Sequence, residues 1–164
     1  MSAAPAGASV AADPPASDSG TVTANVVVNS AIILTILDSS FTLTGVPTDE
    51  PELDNAVHYD VFTNNTGGYN VTVLAVDPAL VATTVGNTDT IPIGDLSVQE
   101  HAAGNWQALT AAPDSPVQIY TQSTRSVESP GDEHSDDYKF NTPIPDVKDG
   151  TYTDDLTYVA TVNV

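Results

Sequence analysis

The densest group of side chains able to do chemistry occupies residues 132–137, Asp-Glu-His-Ser-Asp-Asp. Carboxylate oxygens this close together suit a hard cation, with calcium the logical occupant and Asp132, Glu133, Asp136 and Asp137 its ligands. The spacing is not that of an EF-hand, and charge runs of this kind are also commonly just solvated. A second acidic stretch, with Asp49, Glu50, Glu52 and Asp54, offers the same chemistry. A cation bridging the two would soften the self-repulsion of a chain with net charge −19.

The three histidines are His58, His101 and His134. None stands in a His-Glu-x-x-His pattern, and no Gly-x-Ser-x-Gly turn is present. His58 and Asp60 alternate onto one strand face, where they form either a metal pair or part of a solvated surface. The absence of cysteine excludes disulfides, thiolate catalysis and Cys-ligated zinc. With no nucleophile beside a base and no metal motif, the sequence predicts a protein that is not an enzyme and requires no cofactor.

Trp106 is the only tryptophan. Flanked by Asn105 and Gln107, it would make a glycan platform, the indole packing on a sugar face while the amides bond its hydroxyls. The competing role is a buried core position.

These residues sit in a chain patterned for strands. Residues 1–20 are small and rich in Pro, Ala, Gly and Ser, and predict a disordered head or linker. Residues 21–164 predict a single domain. Residues 21–29 and 31–37 are β-branched-rich candidate strands, followed by 41–44, and 47–55 reads as an acidic loop. Val57, Tyr59 and Val61 alternate with polar neighbours. Asn-Asn-Thr-Gly-Gly (64–68) then reads as the turn of a hairpin into Tyr69, Val71, Val73 and Ala75. Further short strands are expected at 91–98, 105–109 and 117–121, with a polar loop over 126–137. In residues 150–164, Tyr152, Leu156, Tyr158, Ala160 and Val162 alternate with polar residues, the pattern of a strand with one buried face. The expectation is an all-β antiparallel sandwich, immunoglobulin-like or related, of about eight to ten strands.

Only three Lys and Arg stand against 22 Asp and Glu, which removes any basic patch for nucleic-acid phosphates or anionic membranes. No apolar run approaches the roughly 20 residues that span a bilayer, so no membrane insertion is expected. The head carries no basic region and no apolar core, and resembles the start of a mature exported protein.

The segment Asn-Asn-Thr-Gly-Gly-Tyr-Asn-Val-Thr-Val (64–73), the Ile-Pro-Ile-Gly-Asp-Leu-Ser-Val run (91–98) and the closing Asp-Gly-Thr-Tyr-x-x-x-Leu-Thr-Tyr (149–158) together resemble the WxL-like small secreted surface proteins of Gram-positive bacteria. Where that family carries Trp-x-Leu signatures, this chain has Trp106-Gln107-Ala108-Leu109 and Leu156-Thr157-Tyr158. The Asp-Gly-Thr-Tyr also resembles the tyrosine corner of immunoglobulin-like sandwiches, in which the phenol bonds back to nearby backbone.

The resemblance implies a secreted, cell-wall or extracellular setting. The functional expectation is a structural or adhesive surface protein, a fibre subunit that exchanges an N-terminal strand carrying Val26, Val27, Val28, Ile32, Ile33 and Leu34. The alternative is a cell-wall or carbohydrate-binding module centred on Trp106. The partners expected are further copies of the chain or a cell-surface protein or glycan.

Overall fold

The computed structural model describes residues 20–164. The head expected over residues 1–20 lies outside the described residues except for Gly20, which is exposed. Among the described residues, eleven strands run in antiparallel sheets, with one 3-10 turn at Ile93–Asp95. They are β1 (Ile32–Ile36), β2 (Glu52–Thr63), β3 (Tyr69–Ala75), β4 (Ala79–Ala82), β5 (Thr90–Pro92), β6 (Leu96–Glu100), β7 (Gln107–Ala108), β8 (Val117–Gln122), β9 (Asp132–Phe140), β10 (Tyr152–Thr153) and β11 (Leu156–Val162). The fold is all-β and sandwich-like, as the alternating pattern requires. Among the described residues no helix is long and apolar enough to cross a membrane.

A five-stranded sheet, β1-β2-β9-β6-β7, faces a three-stranded sheet, β11-β3-β8. Strands bury alternate residues, so each sheet sends one row of side chains inward. Tyr59, Val61, Val98 and Tyr138 from the large sheet meet Tyr69, Val71 and Val73 from the small one, all with no measurable exposure. Fully burying each of these valines contributes on the order of 2 kcal/mol. A further small sheet, β10-β4-β5, carries the β11–β3 ladder on past a kink. There Asp77-Pro78 stops β3, and both Asp154 carboxylate oxygens accept the Asp77 N–H at 3.2 Å. The strand expected over 150–164 is therefore two strands in two sheets. At its start, the Tyr152 hydroxyl donates to the Lys148 carbonyl at 2.7 Å, closing the corner the Asp-Gly-Thr-Tyr sequence implied.

Several expectations need correction. Residues 21–29 and 41–44 form no strand; residues 21–29 are exposed throughout and lead into β1. Part of the acidic loop at 47–55 belongs to β2, which begins at Glu52 and carries a bulge between Leu53 and Val57. The apparent hairpin at 64–68 is an arch. β2 pairs with β1 and β9, whereas β3 pairs with β11 and β8, so the chain crosses from one sheet to the other. Both flanking strands bury a face, and facing each other across the core satisfies both at once. The arch is pinned by Asn65, whose side-chain amide donates to the Gly68 carbonyl at 3.1 Å and the Asn163 carbonyl at 2.8 Å.

The largest departure is β9. Residues 126–137 read as a polar loop, yet Asp132–Phe140 forms the central strand of the large sheet, paired with β2 on one side and β6 on the other. Acidic residues disfavour strands in isolation, and tertiary context overrides that preference when each carboxylate finds donors.

Candidate functional site

Because β9 is a strand, the acidic cluster of residues 132–137 is divided between its two faces. Asp132, His134 and Asp136 point into the core, where their partners are Tyr69 and Tyr158 of the small sheet and Tyr59 of neighbouring β2. Asp137 faces the other way, toward Gln99, His101 and the bulge of β2. The four carboxylates singled out in the sequence therefore do not converge on one point. Asp132 and Asp136 lie on one face, Glu133 and Asp137 on the other.

On the inner face, Tyr69 donates its hydroxyl to Asp132 Oδ2 at 2.9 Å and contacts His134 Nε2 at 2.7 Å. Gln122 Nε2 and the Val127 N–H complete the shell of Asp132 at 2.8 and 2.9 Å. With its proton committed to Asp132, the Tyr69 oxygen accepts from His134 Nε2. The imidazole packs between Tyr59 and Tyr120, with centroids at 5.3 and 4.1 Å, and its Nδ1 lies 3.4 Å from Glu100 Oε1. Deeper in, Asp136 is fully buried and accepts from Tyr158 at 3.0 Å and Tyr59 at 3.4 Å. Tyr138 donates to the Tyr158 oxygen at 2.6 Å, since the Tyr158 proton goes to Asp136.

Burial pushes the Asp136 carboxyl up from 3.8 to about 7, against the hydrogen bonds from Tyr158 and Tyr59, which act to lower it. Burial is the main cause that raises the phenols of Tyr59, Tyr69, Tyr138 and Tyr158, so they remain donors at ordinary pH. The outer end of this network opens into a cleft of about 650 Å³ whose lining includes Glu100, Tyr120, Glu128, Asp132, Glu133 and His134. With four carboxylates around an aromatic ring and no Lys or Arg in its wall, the cleft suits a positively charged group.

On the outer face, Asp137 is a buried keystone. Its Oδ1 accepts the Asn55 N–H at 2.8 Å and contacts His101 Nδ1 at 2.7 Å; its Oδ2 accepts Gln99 Nε2 at 3.0 Å and the Ala102 N–H at 3.2 Å. Asn55 and Ala102 both take positive φ, 52° and 58°, to aim their N–H groups at it. Burial alone would raise this carboxyl, but the four donors together hold it below the ordinary 3.8. The bond to Asp137 raises the His101 imidazole above 6.5. Asp54, His101 and Asp137 bring ligand atoms within 4.8 Å of one another. Both Asp137 oxygens already hold two partners each, however, so the group functions as a clasp between the β2 bulge and the loop after β6.

Further along the same face, His58 is exposed and bound to Asp38, whose Oδ2 accepts the His58 backbone N–H at 2.8 Å and meets its Nδ1 at 2.6 Å. The side-chain bond to His58 is the main reason the Asp38 carboxyl lies below its ordinary value. Asp60, expected beside His58 on a solvated face, is instead only 8% exposed.

Trp106 is half-buried, with Lys139 Nζ 4.4 Å from its ring centroid. Gln107 Nε2 donates to the Gln118 carbonyl at 2.7 Å, and Asn105 is exposed. Of the assembly residues, Ile32, Ile33 and Leu34 are held in β1 against Thr63, Phe62 and Val61, whereas Val26, Val27 and Val28 stand in solvent. The sequence reading missed the tyrosine network. Its signal was Tyr59, Tyr69, Tyr138 and Tyr158 all at inward positions, since buried phenols need partners for their hydroxyls. No protein-family model and no curated protein sequence matches this chain.

Proposed function

We propose that this is a non-catalytic, exported surface protein whose copies assemble by strand addition, each lending residues 21–28 to the sheet edge of the next. The observation that carries the reading is the exposure of Val22 (92%), Val26 (86%), Val27 (85%) and Val28 (78%) in an unpaired stretch directly ahead of β1. A β-branched run left in water gains by pairing its backbone and covering its side chains. Of the edge strands of the two facing sheets, β1 and β7 in the large one and β11 and β8 in the small one, β1 and β11 are the candidates to receive it.

Edge strands are usually guarded by Lys, Pro or charge. Residues 32–36 and 156–162 contain none of these, in a chain with 22 acidic residues. β11 is the better acceptor, because its seven residues come nearer the length of the donor run than the five of β1. The resemblance to WxL-like proteins supports the bacterial surface as the setting. The glycan-module alternative is less well supported, since Lys139 sits over the Trp106 ring and Gln107 is committed to backbone.

Size-exclusion chromatography with light scattering on the full chain and on residues 29–164 tests this. The full chain is expected to form concentration-dependent oligomers, while the shortened chain stays monomeric with unchanged circular dichroism. A monomeric full chain at every concentration, or oligomers that survive the deletion, removes the proposal.

A further inference from the structure

The core is unfinished along one rim. Val71 and Val73, in the middle of the small sheet, have no exposure, whereas Leu156, Tyr158, Ala160 and Val162, one strand further out in β11, are only half-buried. Among the described residues no strand pairs with β11 on its far side. The backbone decides which residues would meet one. The Asn163 N–H donates to the Gly68 carbonyl at 3.0 Å and the Val76 N–H to the Asp155 carbonyl at 2.9 Å, and both pairs continue the register of β11 with β3. In an antiparallel ladder, residues that exchange bonds with one neighbour alternate with residues that turn both groups the other way. Odd-numbered residues of β11 therefore bond to β3, and Leu156, Tyr158, Ala160 and Val162 present their N–H and C=O at the free edge. The same four send their side chains inward. A strand added there must turn toward the core whichever side chains stand opposite them.

Residues 21–28 carry two different rows. Val22, Ala24, Val26 and Val28 are all apolar, whereas Thr21, Thr23 and Asn25 are polar and only Val27 breaks their row. That is the alternation of a strand with one buried face. In the single chain both rows stand in solvent, so the alternation finds no core in the copy that carries it. No charge interrupts residues 20–37, in a chain of net charge −19. Four apolar side chains on the run thus correspond to four inward residues on the edge, and neither segment contains proline.

We propose that the run adds to β11 of a second copy in one parity only. Val22, Ala24, Val26 and Val28 turn inward over the rim and take up the free backbone groups of Leu156, Tyr158, Ala160 and Val162. Thr21, Thr23, Asn25 and Val27 join the outer face beside Thr157, Val159 and Thr161. This rests on the strand-addition reading and adds to it the face that is recognised. A slip of one residue would put Thr21, Thr23 and Asn25 into the core and three valines into water, so the sequence selects one parity.

The test compares two neighbouring valines. Val26 and Val27 are 86% and 85% exposed, so Val26→Asp and Val27→Asp should each leave the fold of the single chain intact, which circular dichroism checks. Both add the same charge to the same run and differ only in row. In size-exclusion chromatography with light scattering, Val26→Asp should raise the concentration needed for association by about 100-fold or more, because a carboxylate enters the rim without a partner. Val27→Asp, whose carboxylate stays in water, should raise it by about ten-fold or less. Val28→Asp and Asn25→Asp repeat the comparison and should divide the same way. Equal losses in the two rows, or a greater loss in the odd one, with a parent that associates, overturn the row assignment and leave strand addition standing. A parent that never associates removes both together.

Discussion

Tyr158 of β11 and Asp136 of β9 meet across the interior, hydroxyl to carboxylate at 3.0 Å, and join the two sheets at the buried end of the tyrosine network. The carboxyl titrates near 7 in the folded chain, against 3.8 ordinarily. Between those values the folded state binds the extra proton, so this residue's contribution to stability is full below about pH 4 and lost as pH rises through 7.

Asp136→Asn keeps an acceptor for Tyr158 and removes the charge. Urea denaturation should find the variant more stable than the parent by about 1–3 kcal/mol at pH 8 and little different at pH 5. A parent whose stability does not fall between pH 5 and 8 relative to Asp136→Asn would contradict the buried, proton-holding carboxyl.

Asp137 behaves in the opposite sense. Its folded value lies below 3.8, so its contribution is present above that pH and lost only in acid. Asp137→Asn turns an amide NH₂ toward donors that need an acceptor and should cost about 3 kcal/mol near neutrality. His101 is raised by the same contact, and its bond to Asp137 stabilises the fold below pH 6.5 and weakens as pH climbs past the folded value. A proton NMR titration should place the His101 ring above 6.5 in the parent and lower in Asp137→Asn. Identical titrations would dissolve the clasp.

Two glycines with similar φ separate strain from crowding. Gly68, at +81°, would place a Cβ 2.0 Å from the Gln122 carbonyl oxygen, whereas Gly86, at +83°, has nothing within 4 Å. Gly86→Ala should cost about 1 kcal/mol from backbone strain alone. Gly68→Ala must also displace β8 and should cost about 3 kcal/mol or more. Equal midpoints in thermal unfolding would show that the arch does not press against β8.

The alternation of Val57, Tyr59 and Val61, of Tyr69, Val71 and Val73, and of Leu156, Tyr158 and Ala160 was legible because apolar side chains at every second position have one reading. β9 was not legible, because its inward residues are Asp132, His134 and Asp136, whose partners come from strands distant in the chain. The arch at 64–68 was missed for a related reason. An Asn-Gly-rich turn between alternating strands has the same local composition whether it folds back in one sheet or crosses to the other, and only the pairing of β2 with β9 decides. The burial of Asp60 likewise depends on what covers its face, which no local pattern encodes. The exposed valines at 26–28 and the paired Ile32–Leu34 look alike as residues, and differ only in whether a neighbour is within reach.

The placement of β9 at the centre of the large sheet governs when the molecule can fold as it is made. β2 and β6 are both synthesised well before β9, yet each pairs through it, from Glu52↔Lys139 to Val61↔Asp132 on one side and Leu96↔Phe140 to Glu100↔Asp136 on the other. Until residue 140 has emerged, the two halves of that sheet have no common strand, and β2 and β6 can pair only with β1 and β7. Such long-range closure makes folding slow. The sheet thus stays open for most of the chain's synthesis, and a net charge of −19 opposes the collapse of one such open chain onto another.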